Sequence, residues 1–401
     1  MGVNITYMGT KRALASAVGE VIQRAQPGTL LDAFSGMCAV GEAVGDSRQI
    51  WNNDIQIFAS SVARAVFVSR DPPLSPLDCG DLHFPRFKLQ RDLLLRCFSK
   101  SIDAEADMIA ATSYAAFEKK LAKLARTLPK EITEFRLRSP HLFAKTYAGN
   151  YFGVRQAIEV DAIVAALCDA KSKKRITADE FRWGTIALGR ALLKVANSTG
   201  HFAQYLKPKP DNFRRYLSLR QRSLWAEWLS SLASLSPVGT AEWRKGNKAF
   251  NQDSLSLIPR LKRGGADVSV IYADPPYTDD QYSRYYHIFE TLCLYDYPQV
   301  FGAGLYRADR FQTPFSVKSK ASKALEQFIK RCAATGADLV LSYPTNGLVT
   351  ESGIEVRSVL RRHFKRVEIC HSMAHKHSTF GASKGPAKAA ATELIYLARS
   401  A

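Results

Sequence analysis

The stretch Val268-Ser269-Val270-Ile271-Tyr272-Ala273-Asp274-Pro275-Pro276-Tyr277 constrains the fold of this chain more than any other. Apart from Ser269, residues 268–272 are apolar, a short run of the kind that forms a strand buried on both faces. Two consecutive prolines then remove the N–H groups that a continuing ladder needs, so the strand has to end near Asp274. A buried strand that stops on an acid and a rigid turn delivers that acid to a sheet edge. In open α/β sheets the ligand crevice lies outside the carboxyl ends of the strands. Asp71-Pro72-Pro73 repeats the tripeptide with no strand before it and Leu74 after it, so it is read as an ordinary proline-rich turn.

The rest of the chain supplies a sheet for that strand to join. Residues 29–34 (TLLDAF) predict a short buried strand, followed by the small-residue loop Ser35-Gly36-Met37-Cys38-Ala39 and a helix. Residues 49–52 predict a second strand ending at Asn53-Asp54. Helical spacing of Leu14, Val18, Val21 and Ile22 predicts a helix over 11–24, and 58–68 predict another. After residue 246 the alternation resumes, with strands at 268–272, 337–343, 365–370 and 393–398 and helices at 321–332 and 356–364. Strands alternating with helices predict a largely parallel, doubly wound sheet. Residues 85–245 differ. They are helical, basic and aromatic, with helices predicted at 115–126, 156–169 and 181–196 and then a polar stretch over 197–222. One α/β domain built from 1–84 and 246–401, interrupted by a separate, mainly helical domain over 85–245, is expected.

An Asp-Pro-Pro-Tyr turn after a strand, with aromatics behind it and a small-residue loop upstream, resembles the amino-group DNA methyltransferases. The order of motifs (N-terminal motif, cofactor loop, insertion, then turn) is similar to the alpha-class N6-adenine enzymes of the DNA adenine methylase family. The resemblance covers most of residues 5–84 and 250–398. It reaches into the insertion through Tyr151-Phe152, Gln156-Ala157-Ile158, Asp161 and Asn197-Ser198-Thr199-Gly200. It implies a Rossmann-like doubly wound methyltransferase sheet with an inserted, mainly helical target-recognition domain. It also implies S-adenosyl-L-methionine as methyl donor and adenine N6 in duplex DNA, at a specific sequence, as acceptor.

The chemistry accounts for the residue types. The N6 lone pair of adenine is delocalised into the ring and is a poor nucleophile. The Asp274 carboxylate and a backbone carbonyl of the Pro275-Pro276 turn can accept hydrogen bonds from the NH₂ and localise that pair, while Tyr277 offers a ring for stacking. Catalysis is then positioning and electrostatics with direct methyl transfer, and the base must be flipped out of the duplex to reach the pocket. No covalent nucleophile is needed, so the cysteines carry no catalytic role.

The resemblance also implies cofactor contacts. They fall on Tyr7 and Lys11 of the N-terminal motif, on Asp32, Phe34 and Gly36 of the loop, and on Asp54, Asp253 and Asp274. Cys38 stands where the family's F-x-G-x-G pattern has its second glycine. Asp54 is the expected ribose ligand and Asp253 the acid facing the cofactor's adenine, although both types are also common helix N-caps and turn residues. Ser342-Tyr343 resembles a target-pocket motif. Asp279, Asp280, Gln281, Tyr282, Ser283, Tyr285, Tyr286 and His287 are divided by their spacing neither into pocket wall nor into core.

Charge points to the partner. The 401 residues carry a formal net charge of +19, which favours a polyanion, with double-stranded DNA ahead of an anionic membrane surface. Lys207, Arg214, Arg215, Arg220 and Arg222 are the expected DNA contacts, most of them to phosphate. The seven cysteines form no CxxC pair, so neither a disulfide framework nor a structural zinc is expected, and the His-rich run 370–377 is not read as a metal site. No apolar run approaches a membrane span and no export signal is evident, so a cytoplasmic, bacterial or phage-encoded protein is expected. A monomer suits an enzyme that methylates one strand at a time, and both a separately encoded restriction endonuclease as partner and action without one stay open. The same amino-methyl chemistry on cytosine N4, RNA adenine or a protein glutamine is the alternative. A DNA-binding homologue with a dead site is another, favoured only by Cys38.

Overall fold

The computed structural model describes residues 14–128, 139–378 and 388–400. Its centre is a 7-stranded sheet. In chain order the strands are β1 (Leu30–Asp32), β2 (Ile50–Asn53), β3 (Lys248–Phe250), β4 (Val270–Ala273), β5 (Asp338–Pro344), β6 (Arg366–Ser378) and β7 (Lys388–Arg399). They lie side by side as β3-β2-β1-β4-β5-β7-β6. β3 through β5 run parallel, and β7 lies antiparallel between β5 and β6. The chain leaves β1 toward β2 and β3 on one side and returns through β4 and β5 on the other, so the strand order reverses between β1 and β4. Every residue of β1, β2, β4 and β5 is buried, as expected of strands covered on both faces.

Successive side chains of a strand point to opposite faces, and the two faces have separate cores. Leu30, Ile50, Val270 and Val340 pack with α1 (Ala15–Arg24), α2 (Ala39–Val44) and α3 (Ile57–Phe67). Leu31, Trp51, Ile271 and Leu339 pack on the other side, against helices that follow the second half of the sheet.

Between α3 and β3 lie α4 (Pro76–Cys97), α5 (Ser99–Ile109), α6 (Tyr114–Thr127), α7 (Leu142–Thr146), α8 (Val154–Ser172), α9 (Ala178–Val195), α10 (Phe213–Gln221), α11 (Leu224–Ala233) and α12 (Ala241–Arg244). Ser75 caps α4 by accepting the Asp78 N–H at 3.1 Å. The division expected at residue 84 therefore falls inside a helix, because Ser75-Pro76 is a helix start. The segment also shares the first core: Leu188 of α9 and Tyr151 belong to one buried cluster with Leu30 and Val270. The rings of Phe58 and Phe289 stack at 4.4 Å, and a Cβ on Gly189 of α9 would lie 2.7 Å from Phe58.

α8 explains how polar residues sit in an apolar helix. Gln156, Glu159 and Asp161 are 1%, 6% and 0% exposed, and each holds backbone ends of other elements. Glu159 accepts the N–H groups of Leu224 and Trp225 at the start of α11, Asp161 those of Phe143 and Ala144 in α7, and Gln156 donates to the carbonyls of Leu219 and Arg222. Satisfied in this way, buried polar groups tie elements together instead of opposing burial.

The second core is covered by α13 (Ser254–Arg263), α15 (Lys318–Ala333), α16 (Leu348–Glu351) and α17 (Val356–Arg361), whereas α14 (Ser283–Leu294) packs in the first core. A two-stranded ribbon, Val300–Phe301 with Tyr306–Arg307, stands apart from the sheet. Among the described residues no helix is long and apolar enough to cross a membrane.

Candidate active site

The reversal between β1 and β4 brings two acids together. Asp32 closes β1, opposite Tyr272 in the register, and Asp274 follows β4 directly. The Ala33 N–H donates to the Tyr272 carbonyl at 2.9 Å, which holds the two strand ends side by side. Asn53, fully buried at the end of β2, donates to the carbonyls of Ala33 and Gln252 and accepts the Gln252 N–H. One amide thus locks the loops after β1, β2 and β3.

The loop after β1 is wound tightly. Gly36 and Cys38 take φ of 48° and 64°, left-handed values that glycine adopts at little cost and other residues rarely do. The family pattern expects glycine at both positions, and the backbone shows why. Cys38 takes the same conformation and is itself buried. Gly41 answers a different need, since a Cβ there would lie 2.9 Å from the Phe67 ring, so its absence lets α2 pack close to α3. The Gly36 N–H donates to Asp54 Oδ2 at 2.9 Å and the Gln56 N–H to Asp54 Oδ1 at 2.8 Å, so Asp54 clamps the loop to the end of β2.

These elements surround a cavity of about 900 Å³, counting its mouth open to solvent. The β1 loop contributes Asp32, Phe34, Gly36 and Met37, the β2 end Asp54, Ile55 and Gln56, and the start of α13 Asp253 and Ser254. The β4 end contributes Tyr272, Asp274 and Pro276, and the far wall is Tyr282, Phe311, Thr313 and Phe315. Burial pushes the Asp32 carboxyl up to about 8, with the charges of Asp274 and Asp54 adding to the rise and the Phe34 N–H opposing it. Asp54 is raised to about 6 by burial, against hydrogen bonds from the N–H groups of Gln56, Gly36 and Ile55. A cavity holding crowded, desolvated carboxylates favours a positively charged guest.

Of the residues singled out in the sequence, Asp32, Phe34, Gly36, Asp54, Asp253, Asp274 and Pro276 converge on this cavity. Asp253 also caps α13, accepting the Ser256 N–H at 3.1 Å, so its two expected roles coexist. Tyr7 and Lys11 lie outside the described residues. Pro275 and Tyr277 are not among the lining residues. Tyr277 is 6% exposed, edge-on to Tyr343 at 6.3 Å within the second core. Ser342 and Tyr343 are buried in β5, where Ser342 accepts the Tyr272 hydroxyl at 3.2 Å. The aromatics after the turn divide: Tyr282 lines the cavity, whereas Tyr285, Tyr286 and His287 are core.

The far wall was not legible in the sequence. Phe34 packs between Phe315 at 5.5 Å and Phe328 at 5.4 Å, and the Gln281 amide holds the wall through Thr313 and Ser316. The only local signal was a pair of phenylalanines around Thr313-Pro314, and nothing in their spacing pointed to a site.

The basic cluster also divides. Arg220 is 3% exposed, donates to the carbonyls of Asn150 and Tyr151 and lies on the Tyr216 ring at 4.4 Å. Its expected role as a DNA contact is corrected: the guanidinium is an internal brace with no surface to offer a phosphate. Lys207, Arg214, Arg215 and Arg222 are exposed. Arg215 and Arg222 line a second, open cavity with Lys194 and the loop Ser198-Thr199-Gly200, and Glu227 lies 3.0 Å from Lys194 and 3.9 Å from Arg222. Among the described residues no group of three or more His, Cys, Asp or Glu could hold a metal.

Residues 245–340 match the family model described as D12 class N6 adenine-specific DNA methyltransferase, a span that contains β3, β4 and the Asp274-Pro275-Pro276-Tyr277 turn. Similar curated proteins include type II methyltransferase M.FokI of Planomicrobium okeanokoites, 24% identical over 362 residues, 89% of this chain and 47% of that protein. Modification methylase StsI of Streptococcus sanguinis is 22% identical, covering 87% of this chain and 45% of its own length. Type II methyltransferase M.CviAII of Paramecium bursaria Chlorella virus 1 is 22% identical, covering 71% of this chain and 78% of its own length. The chain thus spans about half the length of the first two.

Proposed function

We propose that this chain, similar over residues 245–340 to the D12 class N6 adenine-specific DNA methyltransferases, transfers a methyl group from S-adenosyl-L-methionine to adenine N6 in duplex DNA at a specific sequence. One observation carries the proposal: Asp274 and Pro276 open from the carboxyl end of β4 into the same cavity as Phe34, Gly36 and Asp54.

The cavity fits the cofactor. Bound S-adenosylmethionine supplies an electrophilic methyl on a sulfonium cation. The crowded carboxylates, with Asp32 raised to about 8, gain most from a cationic neighbour. Phe34, Met37, Ile55, Phe311 and Phe315 offer apolar and aromatic surface. Asp54 retains acceptor capacity for a ribose hydroxyl beside its bonds to Gly36 and Gln56, because an ionised carboxylate has about four acceptor sites. Asp253 at the rim is the acid proposed for the cofactor's adenine.

For the reaction itself, Asp274 accepts a hydrogen bond from the target amino group and a carbonyl of the Pro275-Pro276 turn accepts the other, drawing the lone pair out of the ring. Proline suits this position because its fixed φ aims the carbonyl without a donor of its own to satisfy. The stacking role of Tyr277 requires its ring to gain exposure when a base arrives, since it now packs on Tyr343. Lys207, Arg214, Arg215 and Arg222 hold phosphates, and the helical segment between α4 and α12 reads the target. Action as a monomer alongside a separate restriction endonuclease completes the proposal.

The test is transfer of tritiated methyl from S-adenosylmethionine to unmethylated plasmid DNA, followed by nucleoside analysis. Labelled N6-methyladenine is expected. Label in N4-methylcytosine, or in RNA instead of DNA, moves the chemistry to another acceptor. Unlabelled nucleic acid from a protein that binds the cofactor sinks the proposal.

A further inference from the structure

The ribbon Val300–Phe301/Tyr306–Arg307 takes no part in the cavity wall, and yet buried polar contacts brace it. Arg307, 3% exposed, makes a two-pronged pair with Asp296 at 2.7 Å on both prongs and a second with Asp309 at 3.0 and 2.8 Å. The Tyr151 hydroxyl donates to the Gly304 carbonyl at 3.0 Å, and the Tyr306 hydroxyl donates to the Ala203 carbonyl. The bracing holds the ribbon in one conformation, so a contact made by it would cost little further ordering.

What it presents is Phe301, 49% exposed, against 43% for Phe84 and 41% for Tyr297. Phe301 pairs directly with Tyr306 across the ribbon, and Arg310 lies over both rings, at 5.6 and 5.0 Å. Arg284 also lies over Tyr306, at 5.8 Å. Among the described residues Arg310 has no carboxylate within ion-pair distance, and Arg284 sits beside it as a second cation. An exposed aromatic with one guanidinium on its ring and a second on the ring paired with it suits a partner that offers flat rings between anionic groups. The location fits as well. Arg310 reaches Ser283 Oγ at 3.5 Å, Ser283 donates to the Phe311 carbonyl at 2.8 Å, and both Tyr282 and Phe311 line the cavity.

We infer that this ribbon is a wedge: Phe301 enters the base stack of duplex DNA beside the target adenine, and Arg310 and Arg284 hold the flanking phosphates. Extruding a base leaves a gap whose cost is lost stacking, and apolar side chains inserted between base steps offset that cost in proteins that deform DNA. Because the ribbon is already ordered, insertion requires little further loss of chain entropy. The inference rests on the proposed action on duplex DNA.

The test uses the full chain and a short duplex carrying the site mapped by sequencing plasmid DNA that the wild type has methylated. Wild type, Phe301→Ala and Phe301→Trp are compared on that duplex and on one whose target adenine faces a mismatched base, so that it is already unpaired. Phe301→Ala is expected to lose on the order of tenfold in kcat/KM on the paired duplex, the scale of one stacking contact. It should recover most of that on the mismatched duplex, and Phe301→Trp should stay near wild type on both. 2-Aminopurine at the target should brighten less with Phe301→Ala than with wild type, while cofactor affinity by calorimetry stays unchanged and reports an intact fold. Wild-type rates for Phe301→Ala on the paired duplex, or equal losses on both duplexes, would overturn the wedge. A wild type that methylates no DNA overturns the methyltransferase proposal itself, and that result is visible before any variant is made.

Discussion

Asp-Pro-Pro occurs twice in this chain and means two different things. At Asp71-Pro72-Pro73 it follows α3 and leads the chain toward α4. The Asp71 backbone carbonyl accepts the Trp183 indole N–H at 2.9 Å, and the neighbouring Arg70 N–H donates to Asp179. At Asp274-Pro275-Pro276 it follows a fully buried strand at the point where the strand order reverses, and Asp274 lines a cavity with Asp32 and Asp54. The tripeptide supplies only a stiff turn. Chemistry comes from the strand beneath it and from the acids that neighbouring strands bring alongside.

The largest expected effect tests this contrast directly. Asp274→Ala should lower methyl transfer by roughly 10²–10³-fold, the scale for losing one preorganised polar contact to the reacting group. Asp71→Ala should stay within about twofold, because the contact recorded for Asp71 is made by its backbone carbonyl, which alanine keeps. Side-by-side turnover assays check both, and comparable losses would break the comparison.

The helical segment allows a second contrast between a brace and a contact. Arg220→Ala removes a buried side chain that satisfies the Asn150 and Tyr151 carbonyls. It should destabilise the protein by about 2–3 kcal/mol, seen as a lower midpoint in denaturant. Arg222→Ala removes an exposed cation. It should leave that midpoint nearly unchanged, weaken DNA binding and reduce the salt slope of log K by about 1. Equal effects on stability would place both residues in the scaffold.

Much of this was legible. The buried strands announced themselves as apolar runs cut off by Pro, Gly or Asn-Asp, and the acids at their ends were identifiable because a strand's end has a fixed place in a doubly wound sheet. The loop Ser35–Ala39 was legible with Cys38 as its anomaly, and the φ of 64° supplies the reason that glycine is expected there. What stayed hidden depends on distant pairing. Glu290 holds the first turn of α3 through the Ile57 and Phe58 N–H groups across more than two hundred residues of chain. Arg220 reads as a surface cation until Asn150 and Tyr151 fold over it. Phe311 and Phe315 become pocket wall only because Gln281 and Phe34 meet them in space. Local spacing carries no trace of such contacts.

The acids at the sheet edge predict a pH dependence. Folding raises Asp32 from 3.8 to about 8. Between those values the folded protein retains a proton that the unfolded chain has lost, so the resulting destabilisation grows as pH rises and levels off above about 8. A cation bound beside Asp32 favours the ionised form, so binding expels that proton. Cofactor affinity should therefore rise with pH up to about 8, by at most about tenfold per unit, and then flatten. Calorimetry across that window checks this, and Asp32→Asn should remove the rise between about 6 and 8, leaving only the part due to Asp54 below about 6. A profile that falls with rising pH would mean that the guest is not bound as a cation.

The smallest expected effect concerns Cys38, the departure that opened the dead-site alternative. If glycine is needed at this position for space, Cys38→Gly should tighten cofactor binding appreciably. If it is needed for its backbone, the outcome differs. A non-glycine residue in the left-handed region carries a strain of about 1–2 kcal/mol, which Cys38→Gly relieves. The same change removes a fully buried thiol from the core and adds about 0.5–1 kcal/mol of chain entropy to be lost on folding. The contributions nearly cancel, so stability should shift by no more than about 1 kcal/mol and cofactor affinity should hold. Cys38→Val keeps the bulk but adds a β-branch in a region where branched side chains are strongly disfavoured, and it should lose stability clearly. Glycine tolerated and valine not would show that the loop selects for backbone conformation, and that a cysteine there is compatible with a working site.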